Sequence, residues 1–283
     1  MIASVPLGAD LGIFAISLAA GFVGALAGVG GGIFVVPALT LLFGVDIRLA
    51  IGASIVSVIA TSSGSAAAYV RDQMTDLHVG MFLELATVSG AIGGALLTSI
   101  VAPALLFVLL GLVLLGSAVL QLVRLADVPT EARDPSPAAV RLRLVGSYPD
   151  RNEGRTISYA ARRIPLGFVL MGCAGLVSGL LGIGSGALKV LAMDGAMGLP
   201  IKVSSATSNF MIGVTAAASA GIYLSRGDVD PRLAAPVALG VLGGAVVGAR
   251  ILPHLSSQTV RRIFVPVLVL IGLQTLARGL GLA

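Results

Sequence analysis

Two glycine clusters are the residues of this chain best suited to hold an anion. Gly28-Val29-Gly30-Gly31-Gly32 interrupts one apolar run, and Gly182-Ile183-Gly184-Ser185-Gly186 interrupts another. Each is followed by a short apolar stretch, residues 33–43 and 187–198. A helix that starts there has main-chain N–H groups without intrahelical partners and a positive dipole end, and both attract negative charge. Gly30, Gly31, Gly32, Gly184, Ser185 and Gly186 are therefore candidate anion contacts. The alternative is that glycines only let helices approach closely. That reading suits scattered glycines such as Gly90 and Gly94, whereas a cluster that occurs twice reads as a functional break. A methyl at Gly31 or Gly184 should then hurt more than one at Gly90, and an Asp at Gly31 should repel the anion.

Hydroxyl and charged residues follow the breaks. Ser54, Ser57, Thr61 and Ser65 lie three, four and four residues apart, which keeps them on one helix face. The second stretch holds Ser204, Ser205, Thr207, Ser208, Asn209, Thr215 and Ser219. Of these, Ser54, Thr207, Ser208 and Asn209 are candidate ligands, against the alternative that they bond to helix carbonyls. Lys189 and Glu84 stand inside apolar runs, where charge is costly and functional by default. An ammonium at Lys189 suits an anion site, unless it snorkels to the interface or pairs with Asp194. Glu84 is the candidate to carry a coupling proton, or else a structural acid. Ser185 with His254 suggests an intramembrane serine protease, but that signature needs glycine at 183, where Ile183 stands.

The elements that must position these residues are membrane helices. Of 283 residues, 57% are hydrophobic and 11% charged, with mean hydropathy +1.03, which excludes an ordinary soluble enzyme. The net charge of +5 does not mark a nucleic-acid surface, because the arginines sit between apolar runs. The lone Cys173 has no partner for a disulfide, and no metal cluster or cofactor motif is present. No G-x-x-x-x-G-K-[ST] run binds ATP. Runs long enough to span cover about residues 10–27, 47–69, 78–100, 102–123, 164–181, 201–224, 232–252 and 262–280. Residues 124–163 hold eight arginines, five acids and four prolines, and read as a solvated, mobile cytoplasmic loop.

The two flanking parts, residues 1–123 and 164–283, look like copies of each other. A gapless offset of 182 − 28 = 154 superposes the glycine clusters, and with them Gly44 on Gly198, Ser54 on Ser208, Thr61 on Thr215, Asp76 on Asp230 and Gly94 on Gly248. Lys189 then stands opposite Val35, and Glu84 opposite Ala238. Five helical segments per half make the repeats inverted, and four make them parallel. The placement of Lys and Arg favours the inverted arrangement, with the central loop on the cytoplasmic side of the inner membrane and both termini outside. The fold class is an all-α polytopic membrane protein with short helices after glycine-rich breaks.

With these motifs the chain resembles the TauE/SafE sulfite exporters, also grouped as toluene-sulfonate uptake permeases. The resemblance rests on the paired breaks, on Val36-Pro37-Ala38-Leu39 after the first and on Ala206-Thr207-Ser208 after the second. The second copy departs from the pattern at Ser185, where a glycine is expected, and at Leu191, opposite Pro37. The resemblance implies transport of sulfite, thiosulfate or organosulfonates. The residues themselves reach a membrane transporter with an anion site. An inside-negative potential favours anion export at about 2.3 kcal/mol per charge per 100 mV, while uptake needs cotransported protons or cations. A non-transporting membrane scaffold is the alternative from another class.

Overall fold

The computed structural model describes residues 9–27, 31–71, 75–123, 136–150, 155–251 and 257–282. The chain is helical nearly throughout. In the first half lie α1 (Ala9–Ala27), α2 (Gly32–Leu42), α3 (Ile47–Arg71), α4 (Leu77–Thr98) and α5 (Pro103–Val123). The second half holds α7 (Ile164–Leu181), α8 (Gly186–Leu191), α9 (Ile201–Arg226), α10 (Pro231–Ile251) and α11 (Ser257–Gly279). A π turn, Ala192–Ala196, extends α8, whereas α2 is α-helical to its end and carries Pro37 inside it. Among the described residues four helices are long and apolar enough to cross a membrane: α4, α5, α7 and α10. Large apolar side chains such as Leu11, Leu85, Ile100, Leu112, Val169 and Leu239 are exposed, as a lipid-facing surface requires. The chain is an integral membrane protein.

Local chemistry sets the helix ends. Asp76 accepts hydrogen bonds from the main-chain N–H groups of His78 and Val79, both at 3.0 Å, and so starts α4. The short helices end alike. Gly44 and Gly198, 154 positions apart, take left-handed φ values of 64° and 67°. Just beyond them Val45 N–H donates to Leu39 at 3.2 Å and Leu199 N–H to Met193 at 3.0 Å, the closing bond of a glycine C-cap in each case.

Helix directions follow from the glycine contacts. α4 and α7 run the same way, since a Cβ at Gly90 would land on the Gly172 carbonyl and one at Gly94 on that of Leu176. The same test makes α1 and α10 parallel, with Gly240 against Phe14 and Gly248 against Phe22. In contrast α3 and α9 are antiparallel: Gly52 lies on Asp228, whereas Gly213 lies on Ser62. α5 and α11 are antiparallel too, with Gly272 against Leu115 and Gly279 against Ala104 and Val108.

The central segment corrects the expectation of a solvated, mobile loop. Residues Pro137–Arg141 form a short helix, α6, and β1 (Val145–Asp150) pairs antiparallel with β2 (Arg155–Ala160). Leu144, Tyr148, Tyr159 and Ala161 are buried against Val79, Leu83, Met193, Met197, Val203 and Met211 of the helices. Arginine and proline content pointed to solvent, but this inward-facing apolar set anchors the hairpin to the bundle. Residues 124–135 and 151–154, with Arg124, Arg133 and Arg151, lie outside the described residues, as do Gly28, Gly30 and His254.

Candidate functional site

The breaks meet at the centre of the bundle. Ser54 Oγ, on α3, donates to the Gly182 carbonyl at 2.8 Å and also lies 3.2 Å from that of Gly32, so one hydroxyl ties both breaks together. On α9, Ser208 Oγ donates to the Gly186 carbonyl at 3.2 Å. The spacing from serine to glycine is 22 residues in both cases. These hydroxyls face the break carbonyls. Thr207 Oγ1 instead accepts the Asp76 N–H at 3.0 Å, and Asn209 Nδ2 donates to the Ser205 carbonyl one turn back at 3.0 Å. The four polar candidates therefore do not converge on one point.

The two breaks differ in conformation. Gly182, Gly184 and Ser185 all have positive φ, 66°, 73° and 45°. Glycine tolerates this, whereas a serine is strained. Gly31 has an ordinary helical φ of −68°, so glycine is needed there for space: a Cβ would strike Val241 and lie 3.2 Å from the Gly21 Cα. An Asp at Gly31, expected to repel the anion, would also meet the Val241 side chain. Gly90 is no neutral comparison either, because its Cβ would land on the α7 backbone. Gly93, with nothing within 4 Å, is the proper control.

Beside the second break lies a buried polar chain. Lys189 is fully buried, at 0% exposure, and its Nζ donates to Thr215 Oγ1 at 2.6 Å. Thr215 Oγ1 in turn lies 2.6 Å from Glu84 Oε1 and 2.8 Å from the Met211 carbonyl. The lysine neither snorkels nor turns to Asp194; the charge it faces is Glu84 on α4, from the other half of the chain. An ammonium has three donors. Among the described residues Nζ makes a single hydrogen bond, leaving two N–H groups unused. Two further buried atoms here lack a partner among the described residues: Glu84 Oε2 and Ser185 Oγ. Ser185 sits one turn before Lys189 and its carbonyl accepts the Lys189 N–H at 3.1 Å. Unsatisfied polar atoms at this depth are costly unless something binds them. A buried cation with two free donors suits an anion.

This chain has no counterpart in the first half, since Val35 and Ala238 occupy the equivalent positions. The counterpart of Thr215, Thr61, donates to the Ser57 carbonyl of its own helix at 3.0 Å. Thr215 was visible in the sequence only as one polar residue among seven. Its signal was placement on the stripe Ser204, Ser208, Met211, Thr215, Ser219, a single face of α9.

At the hairpin end of the site, Tyr159 of β2 donates its hydroxyl to Asp76 Oδ2 at 2.8 Å. Burial first, then the neighbouring Asp76 carboxylate, holds this phenol well above the ordinary tyrosine range. The proton is thus kept in the bond that fastens the hairpin to the start of α4, on the same helix as Glu84. Because the folded value is raised, this bond contributes fully below the ordinary phenol range and is lost only in strong alkali.

The family model for the sulfite exporter TauE/SafE matches residues 13–275. The chain is similar to the probable membrane transporter protein YunE of Bacillus subtilis (strain 168), 29% identical over 272 residues, covering 94% of this chain and 96% of that protein. It is also similar to the probable membrane transporter protein YdhB of the same organism, 31% identical over 239 residues, covering 84% and 86%. No solved structure matches the chain significantly. These relatives are described as transporters and not as enzymes, in line with Ile183 at the position where the protease signature needs glycine.

Proposed function

The chain belongs to the sulfite exporter TauE/SafE family, and from that premise we propose that it is a secondary transporter exporting a small sulfur-containing anion, a sulfite, thiosulfate or organosulfonate, across the cytoplasmic membrane. The observation that carries this reading is the fully buried Lys189 with two unused N–H donors; the unpartnered Ser185 hydroxyl, four residues earlier in the chain, adds a further donor. In this reading Lys189 and Ser185 bind the oxyanion. The main-chain groups of Gly31, Gly32 and Gly184–Gly186 close around it, and Ser54 and Ser208 hold the breaks in register. Thr207 and Asn209 stand at the rim. The buried Glu84 in the same hydrogen-bonded chain favours a second reading, proton-coupled uptake of sulfonates by the same site.

The test is flux in proteoliposomes with a panel of sulfite, thiosulfate, sulfonates and chloride, with and without an imposed pH gradient. Flux for none of the sulfur anions would overturn the reading. Ser185→Gly separates binding from folding. It relieves a left-handed serine, so stability should rise by about 1 kcal/mol. Affinity for the transported anion should fall up to about tenfold, the loss of one hydrogen bond of roughly 1.4 kcal/mol. Unchanged affinity by equilibrium binding would remove Ser185 from the ligand set.

We further propose that the halves, residues 1–123 and 164–283, are inverted repeats joined by a cytoplasmic segment. The antiparallel run of α3 against α9 and α5 against α11 supports this, as does the arginine content of residues 124–163. Val140 is exposed on α6. A cysteine placed there, with Cys173→Ser to remove the exposed native thiol, should resist an impermeant thiol reagent applied to intact cells and react after permeabilisation. Prompt labelling from outside would reverse the orientation.

A further inference from the structure

Among the described residues the Thr215 hydroxyl is hydrogen-bonded to both the buried cation and the buried acid. Its oxygen accepts from Lys189 and its single hydrogen has two acceptors in range, Glu84 Oε1 at 2.6 Å and the Met211 carbonyl at 2.8 Å. A hydroxyl so placed has two arrangements. With Glu84 ionised, the hydrogen points to the carboxylate, and the lysine and glutamate charges cancel across it. With Glu84 protonated, the acid O–H donates to the Thr215 oxygen and the threonine hydrogen turns to Met211. The buried pair then carries one net positive charge, on Lys189, with its two unused donors. A monovalent anion restores neutrality, which the membrane interior favours strongly.

We propose that Thr215 is the positioning residue that couples anion binding at Lys189 to proton uptake at Glu84. This rests on the anion-site reading above and deepens it: the transported unit becomes an anion with a proton. The balance is simple, since one proton adds to the carboxylate, no other bond is made or broken, and the added charge is matched by the anion. Other groups on the packed elements do not replace this relay. α7 brings no acid or base between Ile164 and Leu181 apart from the exposed Cys173. On α9, Arg226 is engaged by the carbonyls of Ala95 and Leu96 at the far end of α4, and Lys202 lies at the opposite end of α9, 13 residues before Thr215. Asp194 is on the π turn, and His78 is exposed at the start of α4. Thr87, nearest on α4, bonds to the main-chain carbonyls of Leu83 and Glu84 and its hydroxyl also reaches the Glu84 carboxyl, but among the described residues it makes no hydrogen bond to Lys189.

The experiment uses thiosulfate and methanesulfonate, anions that do not themselves titrate near neutrality, and measures proton uptake on binding to the purified full-length chain in weakly buffered detergent. The unaltered protein should take up about one proton per anion bound, the one that Glu84 can accept, which leaves the buried site neutral with the monoanion methanesulfonate and one negative charge over with the dianion thiosulfate. Thr215→Val removes the hydrogen-bond donor to the Glu84 carboxylate, so the acid keeps its proton throughout. Thiosulfate still binds to the folded variant, but proton uptake falls to near zero and affinity no longer changes with pH. Thr215→Ser restores both. Glu84→Gln should reproduce the Val variant. A merely structural role would lower the melting temperature of Thr215→Val without altering the proton count. Proton uptake that survives in a folded Thr215→Val protein overturns the proposal while leaving the anion site standing. Failure of the unaltered chain to bind either anion overturns both.

Discussion

Lys189→Met is expected to reduce anion flux by about a hundredfold, because two charge-assisted hydrogen bonds of roughly 1.5 kcal/mol each vanish from the bound state. The single variant has a second effect. It leaves the Glu84 carboxylate buried without its countercharge, and breaking such a pair costs about 3–5 kcal/mol of stability. Flux lost from this variant alone would therefore not separate binding from folding. The double variant Lys189→Met/Glu84→Gln does, since it removes both charges from the same cavity and keeps the volume. Its melting temperature should return to near that of the unaltered protein, with flux still absent. A double variant that folds and carries sulfite at the normal rate would exclude Lys189 from the anion path.

The sequence told which residues to watch but not which of them meet. A charge inside an apolar run is visible without a structure, so both Lys189 and Glu84 stood out. Their meeting did not, because they are 105 residues apart and on opposite halves of the chain. The hydroxyl residues misled in a specific way. Serines on one helix face near a glycine break suggest ligands, yet Ser54 donates to the Gly182 carbonyl, left without a helical partner at the end of α7, and Ser208 to the Gly186 carbonyl at the start of α8. A break creates orphan acceptors as well as orphan donors, and a serine satisfies the former first. The hairpin was hidden by its composition. Leu144 precedes β1, and Ile157 and Tyr159 of β2 alternate with Ala161 just past its end, a period of two that arginine and proline outweighed on a simple count.

The duplication makes the second large prediction. Gly21 on α1 and Gly175 on α7 are 154 positions apart, and so are the residues they touch, Val241 on α10 and Thr87 on α4. In each case a Cβ would land on the facing carbonyl, with the facing Cα only 2.7 Å away. Backbone cannot yield as a side-chain tip can, so the helix pair must separate. Gly21→Val and Gly175→Val should each lose about 3 kcal/mol, the upper end of overpacking costs. Gly93→Val and Gly116→Val, with nothing within 4 Å, should melt within a few degrees of the unaltered protein. The comparison is read from thermal unfolding in detergent. If Gly21→Val is tolerated while Gly175→Val is not, the two contacts are not equivalent and the two-fold reading of the bundle fails. Equal damage has a mechanical consequence. α1 of the first half is then locked to α10 of the second, and α7 of the second to α4 of the first. The bodies that move during transport would each contain helices from both halves, and the Lys189–Thr215–Glu84 chain would lie wholly within the one built around α4 and α7.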